Sequence, residues 1–261
     1  MNEYFKNLSK IEFVVTYACS GRCKHCSEGD HQRVGERIDP EIAADAVRKI
    51  CGKYGIRTVM AFGGEPLLYT DAVESIMRAA TELAVPHRQL ITNGYFSPDP
   101  DRIKSIAERI SLWGVNDLLL SADAFHQQTI PLETVMLFAR SLKEFGVPVR
   151  IQPAWLVSKT DNNKYNEKTR EILLNFANIG IDSNEGNVIF PEGNALKYLA
   201  EYFIENVSKN PYTEDPCDVK CISIEPNGAV LDGNLYGESI TDIMDRYSPK
   251  RVERKERILK S

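Results

Sequence analysis

What this 261-residue sequence lacks narrows its class before any motif is considered. No apolar run is long enough to cross a membrane, and the first residues, Met1 to Lys6, carry no apolar signal segment. Basic excess is also missing. With 32 Lys and Arg against 37 Asp and Glu, the formal charge is -5, and no nucleic-acid partner is expected. The six cysteines are too unevenly spread for a disulfide scaffold: three fall within Cys19 to Cys26 and none follows Cys221. The expectation is a cytoplasmic protein with no membrane partner. Its 43% hydrophobic content is that of an ordinary globular chain, whose length permits one large core or two.

What is present is concentrated at the ends of apolar strands. Ile11 to Val15 leads into Cys19-x3-Cys23-x2-Cys26, so a short strand delivers three soft ligands suited to zinc or an iron–sulfur cluster. Zinc needs a fourth ligand, for which His25 and His31 are nearest, and a zinc-binding interaction protein is the reading from another class. A second apolar run, Arg57 to Phe62, leads into Gly63-Gly64-Glu65-Pro66. This turn is not a phosphate-binding loop, because no lysine follows it. Its glycines let backbone carbonyls approach a small ligand closely.

Strand and helix patterns alternate along the rest of the chain. Asp39 caps a helix that Pro40 opens, with Cys51 beside its apolar stripe. Further helices are expected at 71–84, 101–111, 132–145, 168–179 and 195–206. Further strands are expected at 88–92, 117–121, 147–153 and 186–190. Six strands alternating with six helices predict an α/β fold with a parallel sheet, without separating an open sheet from a barrel.

Together, Cys19-x3-Cys23-x2-Cys26 and Gly63-Gly64-Glu65-Pro66 resemble the radical S-adenosylmethionine (SAM) superfamily. The resemblance implies a partial (β/α)6 TIM-like barrel over residues 1–210. It implies a [4Fe–4S] cluster held by Cys19, Cys23 and Cys26, with SAM on its fourth iron. One-electron cleavage of SAM then gives a 5′-deoxyadenosyl radical that abstracts hydrogen from a substrate, and a flavodoxin- or ferredoxin-like reductant supplies the electron. Gly63, Gly64 and Glu65 lie where the family binds the methionine ammonium, Glu65 either touching it or bracing the turn. Ser121, Asn93 and Gln152 are the other SAM-facing candidates. His25 occupies the position of the family's adenine-side aromatic. Asp123 and His126, three residues apart, are candidates for proton transfer toward substrate.

Residues 211–261 form a short C-terminal extension. Ser223 to Val230 has the pattern of a small hairpin turning at Asn227-Gly228. With Cys217 and Cys221 it resembles a shortened SPASM or twitch region. A second [4Fe–4S] cluster there is short of thiolates, because Leu231-Asp232-Gly233 stands where relatives place a cysteine. Cys51, Asp232, a histidine or a substrate group would have to complete it. A degenerate hairpin, or a catalytic thiol from Cys217 or Cys221, are the other readings. Pro191-Glu192-Gly193-Asn194-Ala195 resembles a turn of peptide-modifying members, making a peptide the first substrate expected. A sugar-like or amino-acid-like small molecule is the alternative.

Overall fold

The computed structural model describes residues 2–29, 35–203 and 210–249. In chain order the elements begin β1 (Lys10–Val14), α1 (Pro40–Cys51), β2 (Thr58–Phe62), α2 (Thr70–Glu82), β3 (His87–Thr92) and α3 (Pro100–Leu112). They continue with β4 (Asp117–Ser121), α4 (Leu132–Glu144), β5 (Val149–Gln152), β6 (Ala154–Trp155), α5 (Lys164–Ala177), β7 (Asn187–Val188) and α6 (Gly193–Tyr198). Last come β8 (Cys221–Ile224), β9 (Ala229–Val230), β10 (Gly233–Asn234) and α7 (Ile240–Arg246). Helix starts follow their caps. Asp39 accepts from the amides of Glu41 and Ile42 with Pro40 in the first turn, and Asp99 with Pro100 repeats the device at α3. α5 begins at Lys164 rather than 168 because Asn163 caps it, accepting from Tyr165 N and Asn166 N.

One sheet organises the molecule, in the order β5-β4-β3-β2-β1-β8, with every neighbouring pair parallel. From β1 to β5 the spatial order is the sequence order. Repeated right-handed crossovers in one direction therefore put α1 to α4 on the same face, as in an opened barrel. That face is apolar: Ile11, Phe13, Val59, Ala61, Leu90, Leu118, Leu120, Ile151, Ile222 and Ile224 are buried in the helix-backed core. The alternate residues Glu12, Met60, Gln89, Asp117, Arg150, Gln152, Cys221 and Ser223 share the opposite, concave face through their register.

Three expectations need correction. The stretch 186–190 is not the sixth strand of the sheet; only Asn187–Val188 is extended, and it pairs with β6. The sixth strand is β8, which arrives from the C-terminal segment and pairs with β1, Cys221 opposite Lys10. The turn read at Asn227-Gly228 exists, closed by Gly228 N to Glu225 O and Glu225 N to Ala229 O. Its two arms serve different sheets, because β9 pairs with β10. The expected helix 195–206 is represented by α6 and a single 3-10 turn, Ala200–Tyr202; residues 204–206 lie outside the described residues.

Candidate active site

The loop after β1 carries the three cysteines and is fixed by backbone contact with the turn after β2. Gly64 N donates to Thr16 O at 2.7 Å, and Glu65 N to Ala18 O at 2.8 Å. A Cβ on Gly63 would stand 2.5 Å from Thr16 O, and one on Gly64 2.2 Å from Ala18 O. With φ at +137°, Gly63 also holds a backbone conformation that other residues rarely adopt. Both glycines are thus required for the approach of the two loops.

A second wall comes from far along the chain. Asn194 N donates to Cys26 O at 2.9 Å, and its side-chain Nδ2 donates to Cys23 O and Gly29 O, both at 3.2 Å. Gly193 lies so close that a Cβ would meet Ser27 O at 2.2 Å. The loop after β4 closes the third side, with Arg22 N donating to Thr129 Oγ1 at 3.1 Å.

Within this frame Cys23 is buried, while Cys19 and Cys26 are half-buried. Burial, with the nearby Glu65 charge, pushes the Cys19 thiol up to about 12. Burial raises Cys23 and Cys26 as well, and for Cys23 the Asp123, Cys19 and Cys26 charges add to the effect. Three desolvated thiols that oppose one another's ionisation become thiolates only around a cationic centre, which is the donor chemistry of an iron–sulfur cluster. N–H donors already face Cys19 Sγ, from Gly21 N at 3.3 Å and Asn93 Nδ2 at 3.5 Å. Such contacts suit a ligating sulfur. His31, the other zinc ligand considered, lies outside the described residues.

Glu65 is fully buried and braces the site. Its Oε1 accepts from Leu67 N at 2.9 Å and Thr92 Oγ1 at 2.8 Å, and its Oε2 from Asn93 N at 2.8 Å. Burial lifts its pKa to about 7 even though these three donors favour the charged form. Asn93 accepts from Tyr95 N at 2.8 Å and turns its amide toward Ser20 and Cys19.

Asp123 is also fully buried. Its Oδ1 accepts from the amides of Phe125 and His126, and its Oδ2 from Ala154 N at 2.9 Å and His126 Nδ1 at 2.8 Å. Burial opposes its charge, but the His126 contacts and these donors outweigh it and hold Asp123 well below the usual carboxylate range. The His25 ring packs on Phe125 at 5.1 Å between centroids and edge-on to His126 at 4.8 Å. Burial, with the adjacent His126, lowers His25 to about 4, leaving it neutral.

The concave face leads away from this end. Ser121 and Gln152 face each other across β4 and β5, and Gln152 accepts from Asn184 Nδ2. Lys10 pairs with Glu12 at 2.9 Å, while Asp117 takes Arg150 at 2.6 Å and Gln89 at 2.7 Å. Tyr17 donates its hydroxyl to Glu225. Cys221 faces Glu12, and burial followed by that charge raises its pKa strongly. It sits opposite the first residue of β1, about 13 Å of strand from the end bearing the cluster loop. Cys217 is exposed, and Cys51 is half-buried against the helix core. A separate cavity of about 960 Å³ opens beside Trp155, Arg170 and Asp182 and is lined by none of the candidate site residues.

Sequence reasoning did not single out Thr16, Glu12 or Glu225 as site residues, and read Asn194 only as part of a turn. The available signals were a polar residue at each strand's inward register and an asparagine directly after a helix-opening glycine.

Comparison with known proteins accords with this geometry. Residues 13–192 match the family model described as the radical SAM superfamily. A probable GTP 3',8-cyclase of Saccharolobus solfataricus is 26% identical over 228 residues, spanning 80% of this chain and 68% of that protein. Among solved structures, native anSMEcpe with bound AdoMet and Cp18Cys peptide aligns with a TM-score of 0.58 at 15% identity, covering 94% of this chain and 81% of that one. BtrN in complex with AdoMet and 2-DOIA aligns at 0.51 and 16% identity, covering 96% and 87%. The family match, covering more than half of the chain and running through the three-cysteine loop, the Gly63-Gly64 turn and the sheet that positions both, shows that this protein belongs to the radical SAM superfamily.

Proposed function

We propose that this radical SAM enzyme abstracts hydrogen from a polar, phosphate-free substrate laid along the concave face, with a peptide segment as the first reading. The observation that carries it is charge pairing. Lys10 and Arg150 are each committed to a carboxylate, Glu12 and Asp117, and Glu225 adds a further acid at the rim. An oligophosphate needs uncommitted cations, whereas amide, hydroxyl and ammonium groups suit a face of this composition. A nucleotide is the second reading, favoured by the naming of the Saccharolobus relative as a probable GTP 3',8-cyclase.

As a member of the superfamily the enzyme uses a [4Fe–4S] cluster and SAM, which supply one-electron cleavage to methionine and a 5′-deoxyadenosyl radical. The residues that hold the cluster are Cys19, Cys23 and Cys26. Asn93 and Gly21 donate toward Cys19, and Asn194 ties the Cys23 and Cys26 carbonyls to α6. Glu65 holds the β2 and β3 turns together, so that the Gly63-Gly64 backbone, Asn93 and Ser121 present one rim to SAM. Gln152, steadied by Asn184, extends that rim toward substrate. A flavodoxin- or ferredoxin-like protein is the reductant this reading requires.

The test is 5′-deoxyadenosine formation by the reconstituted, reduced enzyme. Slow basal cleavage that GTP leaves unchanged and that a peptide-containing fraction accelerates is the expected result. Stimulation by GTP, with deuterium transfer from its ribose into 5′-deoxyadenosine, overturns the phosphate-free reading in favour of a nucleotide.

A further inference from the structure

The cysteine loop and α6 share a solvent-facing surface that the chemistry of the site does not use. Arg22 and Lys24, on either side of the buried Cys23, are exposed, and among the described residues neither is paired with a carboxylate. α6 continues this surface, because Asn194 N is bonded to Cys26 O at 2.9 Å and Gly193 packs on Ser27. Leu196 and Tyr198 are 53% and 46% exposed, and they lie within about 6 Å of that bond along the helix axis. Lys197 is exposed between them and stands over the Tyr198 ring at 4.9 Å. The acids of the same surface are Glu28 and Glu192, and the Glu192 carboxylate accepts from Asn210 Nδ2 at 3.1 and 3.2 Å. On a chain whose formal charge is -5, this is a local excess of positive charge. An exposed leucine and tyrosine set among cations offer apolar contact and charge together, as a docking surface does.

We propose that Arg22, Lys24 and Lys197, with Leu196 and Tyr198, form the docking surface for an acidic one-electron carrier protein of the flavodoxin or ferredoxin kind. The inference rests on the reading of Cys19, Cys23 and Cys26 as cluster ligands. Position and charge select this occupant. Electron transfer between proteins falls steeply with distance, so the carrier must seat where the cysteine loop meets solvent. The concave face is given to substrate and the opposite face of the sheet is covered by helices, which leaves the outward side of the loop and α6 as the approach. One electron passes from the reduced carrier to the cluster, and no bond forms or breaks in that step. Opposite charge raises the encounter rate, and a contact of under about 1,200 Å² is enough for a redox complex that must also dissociate.

The test mixes the cluster-loaded full-length enzyme with a reduced flavodoxin, or with a reduced [2Fe–2S] ferredoxin, and follows oxidation of the carrier without oxygen. Lys24→Glu with Lys197→Glu should lower the second-order rate constant by about tenfold or more at low salt, and Arg22→Glu should lower it further. Added salt should slow the wild type and leave the charge-reversed variant little changed. Leu196→Ala with Tyr198→Ala should weaken binding of the oxidised carrier, read by calorimetry without turnover, by at least about fivefold. Cleavage of SAM driven by dithionite needs no docking and should stay within about twofold in every variant. Carbodiimide cross-linking of the wild type, which uses no variant, should join carrier carboxylates to Lys24 or Lys197. Cross-links confined to other lysines, rate constants indifferent to charge reversal, or failure of both carriers to reduce a wild type that dithionite reduces each overturn the proposal. A peptide that cross-links at Lys24 and Lys197 where the carriers do not would make this a peptide-docking surface and overturns it equally. A wild type that forms no 5′-deoxyadenosine with dithionite fails the cluster reading instead, and the cross-links still decide the surface.

Discussion

Two buried side chains decide whether the cysteine loop keeps its shape. Asn194 spends its amide on the Cys23 and Gly29 carbonyls. Replacing it with Ala leaves those acceptors without their donor at a cost of roughly 1–3 kcal/mol. Asn194→Ala is therefore expected to lower the unfolding free energy by that amount and reduce iron retained per chain after desalting; unchanged values of both would separate Asn194 from the loop. Glu65 adds a pH dependence. Its pKa rises from an ordinary 4.5 to about 7 on folding, so its contribution favours the fold fully below about pH 4.5 and is lost as pH climbs through 7. In metal-free protein, urea midpoints at about pH 5 and about pH 8 should show this loss, and Glu65→Gln should remove it while destabilising the turn by leaving one N–H facing another. The sequence displayed Glu65 beside its glycines but not its donors Thr92 and Asn93, which are brought to it only by the pairing of β2 with β3.

Elements built from local signals were legible, and those built from distant pairing were not. Asp39-Pro40 marks its helix in sequence because cap and first turn are neighbours. The strands β1 to β4 are segments of five or six residues whose helix-facing positions, such as Ile11 and Phe13, Val59 and Ala61, Leu90, and Leu118 and Leu120, are apolar. The sixth strand was misassigned because Cys221–Ile224 carries the same alternation a hairpin arm would carry, and its partner, Lys10 to Phe13, lies more than two hundred residues away. Ile222 and Ile224 enter the core beneath β1, so β8 covers what would otherwise be an unpaired parallel edge. Ile224→Ala is expected to cost roughly 2–5 kcal/mol, the range for a fully buried aliphatic truncation. A chain ending at residue 209 should accumulate as insoluble protein, since it exposes both that edge and the side chains packed on it. A soluble, cooperatively unfolding truncation would show instead that the first 209 residues form a self-sufficient core.

At the scale of the molecule, the parallel sheet sorts its chemistry by face and by end. Helices cover one face, the cysteine loop caps the strand ends, and the concave face collects charges that sequence order scatters over more than a hundred residues. No local window joins Glu12 to Cys221 or Asp117 to Arg150; parallel register does. This sorting makes substrate charge testable without knowing the substrate. Glu12→Gln with Asp117→Asn releases Lys10 and Arg150 from their partners and changes the charge of the face by two units. At roughly 8 Å and an effective dielectric between about 20 and 80, each unit is worth about 0.5–2 kcal/mol toward an anion. The double variant should therefore bind GTP at least about fivefold more tightly than the wild type, with a gain that shrinks as salt is raised. SAM affinity should stay the same, because neither residue lies at the cluster end. If the wild type already binds GTP tightly and the double variant adds nothing, then the phosphates sit elsewhere, and the paired cations of the concave face are not what selects the substrate.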